Sequence, residues 1–370
     1  MTHAAAPTGT AGLFDPITLR SLELPHRGWV AAMCQYSCDP AVAPGVPTDW
    51  HLVHLGQFAT GGAALIITEA AAVSHEGMIS PRDAGIWTQE QADAWRRIND
   101  FVHEHSAVGT KTAIQLAHAG RKASTYWPFS GRRNSVPAAE GGWETVGPTD
   151  EAFGSYAAPR AMTEEDIAKV IADFGAAAAL AVGAGFDTME IHAAHGYLLH
   201  QFLSPLVNTR TDGWGGSDEV RFRLTLEVVR EVRRVIPETM PLLLRISASD
   251  WTDGGIDGAV SARLAKRAAE EGVDFVDVSS GGAVPAATIP VGPGYQVALA
   301  EEVRASGVPT GAVGLISDAR QADAVVREGR ADVVLIARAA LRDPHWWMRA
   351  AHELGHELVP APQYERAGAF

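Results

Sequence analysis

Trp29-Val30-Ala31-Ala32-Met33-Cys34 is the stretch on which the fold turns. Trp29 to Ala32 is short and apolar, so it predicts a strand, and no G-x-G-x-x-G follows it. A doubly wound open sheet that holds a dinucleotide normally carries that glycine fingerprint straight after its first strand, because backbone and pyrophosphate must approach closely there. The same kind of apolar run recurs at Ala64–Thr68, Lys111–Leu116, Thr188–Ile191, Leu242–Ile246, Phe275–Val278, Thr310–Val313 and Val333–Ile336, which makes eight. Such near-continuous apolarity suits parallel strands covered on both faces. Alanine-rich segments of helical period intervene, among them Thr163–Val182, Glu219–Val235 and Val260–Glu271. Thr163-Glu164-Glu165-Asp166 reads as a capping box with aspartate in the place of the usual glutamate. Eight βα units predict a closed (β/α)8 TIM barrel whose chemistry sits at the carboxyl ends of the strands.

One barrel domain is expected over residues 13–370, with the Gly-, Pro-, Ser- and Trp-rich segment Arg121–Arg160 as a long capping loop after strand three. Residues 1–12, MTHAAAPTGTAG, read as a disordered leader, with neither the basic start nor the apolar core of a signal peptide. The most apolar runs, Ala63–Ile67 and Val333–Ile336, are far too short to span a bilayer, so a cytoplasmic enzyme is expected. A formal charge of −14 argues against nucleic acid, which demands a basic face. The two cysteines, Cys34 and Cys38, can build neither a disulfide framework nor a cysteine-ligated iron–sulfur cluster.

Polar residues gather just past the predicted strand ends. Cys34 and Tyr36 follow strand one, Glu69 and Ala70 follow strand two, and Gln115 lies near the end of strand three. After strand four comes Ile191-His192-Ala-Ala-His195-Gly-Tyr197-Leu-Leu-His200. His192 and His195, three apart, face one point on a turn or helix start and can donate two N–H groups to one carbonyl or nitro oxygen. The same pair is also half of a metal site, for which His200 is the candidate third ligand from another helix face. Tyr197 is a candidate general acid, since a phenol suits protonation of a carbanion beside a carbonyl; a packing tyrosine is the alternative. Gly311-Ala-Val-Gly314-Leu-Ile-Ser317 and Arg338 match the phosphate cradle that barrels form after strands seven and eight. Arg245 lies inside a strand and needs an anion, either a ligand or a carboxylate such as Asp250. Cys34 reads equally well as an active-site thiol and as a small buried hydrophobe.

Taken together, these blocks make the chain similar to the Old Yellow Enzyme family of flavin ene-reductases, in particular its thermophilic-like bacterial subclass. The markers are Met33-Cys34-Gln35-Tyr36-Ser37, Gln115-Leu-Ala-His118-Ala-Gly-Arg121-Lys122, Glu190-Ile-His192-Ala-Ala-His195-Gly-Tyr197-Leu, Asn208-x-Arg210-Thr-Asp212, Arg245-Ile-Ser-Ala-Ser-Asp250 and Gly311-Ala-Val-Gly314. They extend from about Leu13 to Arg366.

The resemblance implies non-covalent FMN across the barrel mouth, held by Ala31, Ala32, Met33, Cys34, Ala70, Gln115, Arg245, Gly314, Ala337 and Arg338. It implies that Tyr36, His192 and His195 bind the substrate oxygen, that Tyr197 donates a proton, and that NAD(P)H, with NADPH favoured, is the reductant. Activated alkenes are the implied substrates. Tyr364 and Arg366 would reach a neighbouring subunit's site in a homodimer or dimer-built tetramer. Two positions depart from the family pattern: Ala31-Ala32 stands for Ser-Pro, and Ala337 for glycine beside the phosphate. Three rivals stand beside this reading: an iron–sulfur dienoyl-CoA reductase, which two cysteines argue against, a flavin-free metal lyase, and a redox sensor centred on Cys34.

Overall fold

Alternate residues along the predicted strands face two different cores, and this alternation organises the molecule. The structure is a computed structural model and describes residues 11–367. Its barrel strands are β1 (Gly28–Val30), β2 (Leu65–Ala72), β3 (Lys111–Ala117), β4 (Thr188–Ala193), β5 (Leu242–Ser247), β6 (Phe275–Ser279), β7 (Thr310–Ala312) and β8 (Val333–Ile336). They run parallel in chain order, and the pairs Val334↔Gly28, Leu335↔Trp29 and Ile336↔Val30 join β8 to β1 and close the barrel. The helices are α1 (Asp49–Thr60), α2 (Gln89–His105), α3 (Glu164–Gly183), α4 (Leu198–Leu203), α5 (Asp218–Val235), α6 (Gly258–Glu270), α7 (Val297–Arg304), α8 (Ala319–Arg327), α9 (Arg338–Arg342) and α10 (Trp346–Glu353).

Trp29, Leu65, Ile67, Ala113, Leu243, Phe275, Val333 and Leu335 fill the barrel interior. The Trp29 and Phe275 rings lie 4.8 Å apart. The intervening residues Val30, Ile66, Ile114, Ile191, Leu244, Val276 and Val334 belong to the larger core under the helices. An antiparallel hairpin, Ile17–Leu19 with Leu22–Leu24, adds Leu19 and Leu24 to the interior core beside the first residues of the strands. The barrel is therefore plugged at its amino end and open for polar groups at its carboxyl end.

Local signals hold closely. Thr163 caps α3: its Oγ1 accepts from the Asp166 amide at 3.2 Å, while Asp166 Oδ2 accepts from the Thr163 amide at 2.7 Å. Strand two departs from expectation, because it continues to Ala72 through an irregularity between Ile67 and Ala70, so Glu69 and Ala70 lie within it. Bulges of this kind re-aim side chains beside active sites. Residues 121–160 are pinned, not loose. They hold the 3-10 turns Gly120–Lys122 and Ala138–Glu140, a Thr125↔Ser135 bridge, and a parallel pairing of Val146–Gly147 with Arg160–Ala161. Arg121 ties this segment down through Nη1 to the Glu151 carbonyl (3.1 Å) and Nη2 to the Ala283 carbonyl (2.9 Å). Of the leader, residues 1–10 lie outside the described residues; Gly12 donates its amide to Asp15 Oδ2 at 2.7 Å. Among the described residues no helix is long and apolar enough to cross a membrane.

His26 supplies a pH test of this framework. It is buried just before β1, meets the Gly62 carbonyl through Nε2 at 2.8 Å and accepts the Gly28 amide at Nδ1 at 3.1 Å. Burial lowers its pKa to about 4, against a weaker opposing pull from Gly62. As pH falls below the unfolded value near 6.5, the unfolded chain takes up a proton that the fold refuses until about pH 4. Thermal unfolding followed between pH 7 and pH 4 should lose about 1.4 kcal/mol per pH unit at this site. His26→Gln should make that acid slope shallower, and an unchanged slope would refute the assignment.

Candidate active site

The second interior layer of the barrel is polar on one side only. Gln115 on β3, Glu190 on β4, Arg245 on β5 and Asp277 on β6 occupy inward positions on successive strands, in register through Gln115↔Glu190 and Arg245↔Asp277. Gln115 Nε2 donates to Glu190 Oε1 at 2.7 Å, and Arg245 Nε lies 3.0 Å from Asp277 Oδ2. Burial pushes the Glu190 carboxyl up, the Asp277 charge adds to this, and Arg245 and Gln115 oppose it. Asp277 is likewise raised by burial against the pull of Arg245. The carboxylate facing Arg245 is thus Asp277, not Asp250. Asp250 accepts from Ser204 Oγ at 2.7 Å and from the Ile256 amide at 3.0 Å, and meets His200 Nε2 at 3.0 Å. His200 is fully engaged there, since its Nδ1 accepts the Gly196 amide at 2.8 Å, so it does not join the histidine pair.

Above this layer the end of β4 brings His192, His195 and Tyr197 together. The His192 and His195 rings are 5.2 Å apart at 84°, and the His192 and Tyr197 rings 5.1 Å apart at 79°. His192 Nδ1 accepts from the Ala194 amide at 3.3 Å, which leaves its Nε2 to face the mouth. His195 sits at φ +58°, in the left-handed region, where its amide donates to Ser247 Oγ at 2.8 Å and its Nε2 meets Ser279 Oγ at 2.7 Å. Strained backbone of this kind persists only where the surroundings over-determine it. Burial, reinforced by the Arg245 charge, lowers both imidazoles well below the usual histidine range, so both are neutral at pH 7. Burial also holds the Tyr197 hydroxyl protonated.

Cys34 and Tyr36 face this group from the segment after β1. The Ala70 amide and the Tyr36 hydroxyl both reach the Cys34 sulfur, and burial raises the thiol well above its ordinary value. It is a protonated thiol at neutral pH, unlike the thiolate of a redox-reactive cysteine. Tyr36 is also left-handed, at φ +51°. Glu69 fixes the segment by accepting the Gln35 amide at 2.9 Å and meeting His51 Nε2 at 3.0 Å. Ala31 is buried, its amide bonded to the Ile336 carbonyl at 3.0 Å, while Ala32 and Met33 are half-buried. Cys38 is fully buried away from exchange. Of the loop aromatics, Phe129 approaches Tyr36 with rings 6.5 Å apart. Trp143 turns to His75 and the Glu76 carbonyl, Trp127 lies under Arg82, and Tyr126 bonds Glu140.

On the far side of the mouth, Gly314 lies beyond β7 at φ +124°, where a Cβ would stand 2.8 Å from Gln296 Nε2. Arg338, half a turn beyond β8 and after Ala337, is exposed and meets no acceptor among the described residues. Tyr364 and Arg366 are exposed in the turn Pro362–Ala367, where the Tyr364 ring lies 6.0 Å from His345, and neither contacts the residues of the mouth.

These groups suit a flavin. Arg245 Nε makes no hydrogen bond although Asp277 Oδ2 lies 3.0 Å from it, and Gln115 donates its Nε2 to Glu190. A guanidinium and an amide in this layer would suit the N1–C2=O edge of an isoalloxazine, where negative charge collects on reduction. Arg338 remains open for a phosphate at the strand-eight end. Sequence reasoning missed Glu190 and Asp277, hidden inside apolar runs, and Ser247 and Ser279, whose roles depend on register. The Ser279-Ser280-Gly281-Gly282 ending of strand six was the one signal that could have shown Ser279.

Residues 12–357 match the model of the NADH:flavin oxidoreductase / NADH oxidase family. The chain is 44% identical over 360 residues to an NADPH dehydrogenase of Geobacillus sp. (strain WCH70), covering 97% of this chain and 99% of that one. Among solved structures, morphinone reductase in complex with tetrahydroNAD superposes with a TM-score of 0.75 at 28% identity, over 95% of this chain and 93% of that one. The old yellow enzyme homologue from Zymomonas mobilis does so with a TM-score of 0.77 at 26% identity, over 95% and 94%. With a barrel closed strand to strand, a donor set that suits a flavin and a family match over nearly its whole length, the chain belongs to the NADH:flavin oxidoreductase family, that of the Old Yellow Enzymes.

Proposed function

We propose that this protein is an FMN-dependent ene-reductase that uses NAD(P)H, preferentially NADPH, to reduce alkenes activated by a carbonyl or nitro group. The observation that carries the reading is the pair of neutral imidazoles, 5.2 Å apart with the Tyr197 ring beside them. When bound, FMN supplies the hydride, taken from the nicotinamide and passed to Cβ of the alkene. Arg245, Gln115 and the Ala31–Cys34 segment with Ala70 would hold its ring, while Gly314, Ala337 and Arg338 would hold its phosphate.

The chain's own residues polarise and protonate. His192 presents Nε2–H, because its Nδ1 is committed to the Ala194 amide. His195 presents Nδ1–H once the Ser279 hydroxyl donates to Nε2. The 2.7 Å contact favours that donation over the 3.4 Å approach to Gln296 Oε1, which Ser280 already supplies at 2.5 Å. Two fixed N–H donors, with Tyr36 beside them, stabilise the oxygen as enolate charge develops on it. Neutral donors suit this role, since they need shed no proton while the charge builds. Tyr197 then gives its hydroxyl proton to Cα. The enzyme is cytoplasmic, the chain from residue 13 to residue 370 is one barrel domain, of which 368–370 lie outside the described residues, and Tyr364 and Arg366 complete a neighbour's site in a dimer or dimer-built tetramer.

Purified protein should be yellow, and phenol should add a broad long-wavelength absorption band as the phenolate sits over the flavin against the histidines. A colourless protein that takes up no FMN would sink the proposal. His192→Ala or His195→Ala should abolish the phenol band and slow cyclohexenone reduction by about a hundredfold, the scale of a lost oxyanion donor. Tyr197→Phe should leave flavin reduction by NADPH intact and slow alkene turnover about a hundredfold; full turnover would remove Tyr197 from the proton step. Light scattering should give a multiple of the 39.2 kDa chain mass, and Arg366→Ala should raise KM with little change in flavin content.

A further inference from the structure

Lys122 lies at the end of the 3-10 turn that follows β3, and the proposed chemistry makes no use of it. Its Nζ donates to the His195 carbonyl at 2.7 Å and to the Gly282 carbonyl at 3.3 Å. No other donor reaches either carbonyl among the described residues. The ammonium also lies 5.1 Å from the centre of the Tyr197 ring and 4.5 Å from that of Phe153, which covers it from the capping loop. No carboxylate is paired with it among the described residues. The positive charge is balanced by two carbonyl dipoles and two aromatic faces.

The two carbonyls belong to backbones in close apposition. His195, Gly196 and Gly282 have φ of +58°, +73° and +95°. A Cβ at Gly196 would stand 1.9 Å from the Gly282 oxygen, and one at Gly282 would stand 2.5 Å from the His195 carbonyl. Packing this tight, in left-handed backbone, directs two carbonyl oxygens to one point and requires a cation or donor there.

We propose that Lys122 is a positioning residue for the proton donor: it clamps the His195–Gly196 turn to the Gly281–Gly282 turn and lays a cation on the face of Tyr197. Resting on the ene-reductase reading, this adds a reason for Tyr197 to give up its proton. As the Tyr197 O–H bond breaks and a C–H bond forms at Cα, the oxygen keeps the electron pair and the ring becomes richer in electrons. A cation on that face is held more tightly by the phenolate than by the phenol, so it favours the transition state over the ground state. Solvent returns the proton afterwards.

Burial and the neighbouring Arg121 lower Lys122 to about 8, so the clamp carries its charge at neutral pH and loses it in mild base. The other groups that face it behave differently. His192 and His195 are neutral throughout, Arg121 keeps its charge, and Tyr36 and Tyr197 stay protonated. Asp83, raised to about 7 by burial, also acts through its charge on Tyr197 and is separated by the choice of variant.

The test measures alkene reduction by the pre-reduced holoenzyme with 2-cyclohexenone in stopped flow from pH 6 to pH 10, for wild type, Lys122→Met and Lys122→Arg. In parallel, ¹³Cε-lysine NMR of the holoenzyme identifies the Lys122 signal by its loss in Lys122→Arg. Wild type should slow as pH rises through about 8, at the pH where the Lys122 signal titrates. Lys122→Met should slow the alkene step about tenfold at pH 7, with KM changed less than kcat. Lys122→Arg should restore most of the rate and lose the decline near pH 8. Wild-type rates in Lys122→Met, or equal damage in both variants, overturn the proposal. Should wild type reduce no enone, the ene-reductase reading fails, and NMR decides the clamp alone. A Lys122 signal titrating near 8 upholds the clamp; one titrating like an exposed lysine overturns it.

Discussion

Closing eight parallel strands into a ring forces every second residue inward, and the rest of this molecule depends on that constraint. The ring has no edge at which to put a misplaced polar group, so each inward position must be either packed or paired. Trp29, Leu65, Leu243, Phe275 and Leu335 fill the amino half as packing. In the carboxyl half, β3 to β6 instead carry the buried residues Gln115, Glu190, Arg245 and Asp277, with Gln115 hydrogen-bonded to Glu190 and Arg245 ion-paired with Asp277. Replacing water by such a layer is costly unless its members satisfy one another. Part of it remains unsatisfied by protein: Glu190 Oε2 and both Asp277 oxygens lack hydrogen bonds among the described residues. That residual demand lies directly beneath the mouth, where the proposed cofactor would sit.

The chemistry follows from the same geometry. The mouth residues are held where the chain leaves the strands, and two of them, Tyr36 and His195, are left-handed. Their neighbours over-determine them: Ser247, Ser279 and Lys122 each make one bond to His195. Neutrality of the imidazoles is likewise a consequence of enclosure, since burial outweighs every other influence on their protonation and Arg245 adds to it. A barrel floor that contains an arginine therefore tunes the histidines above it.

The strand count, the lack of a glycine fingerprint and the Thr163–Asp166 cap were legible in the sequence because they are local: periodicity and capping need only neighbours along the chain. The grouping of His192, His195 and Tyr197 was legible for the same reason, as three residues at the end of one strand. Arg245 was conspicuous in sequence, but its partner was misread as Asp250. In sequence Asp250 lies only five positions away from it, whereas Asp277 is its neighbour only across the β5–β6 register.

By itself, then, the sequence determined the architecture, the end of the barrel at which polar residues gather and the resemblance to a flavin-binding family. Only the tertiary structure decided which carboxylate meets Arg245, that His200 belongs to Asp250, that Cys34 is a protonated thiol, and that Lys122 joins the turns at His195 and Gly282, which are far from it and from each other along the chain. The physical reason is that pairing, burial and tautomer are properties of positions brought together across strands. Chain periodicity specifies which face a residue takes, while the closed register specifies what it finds there.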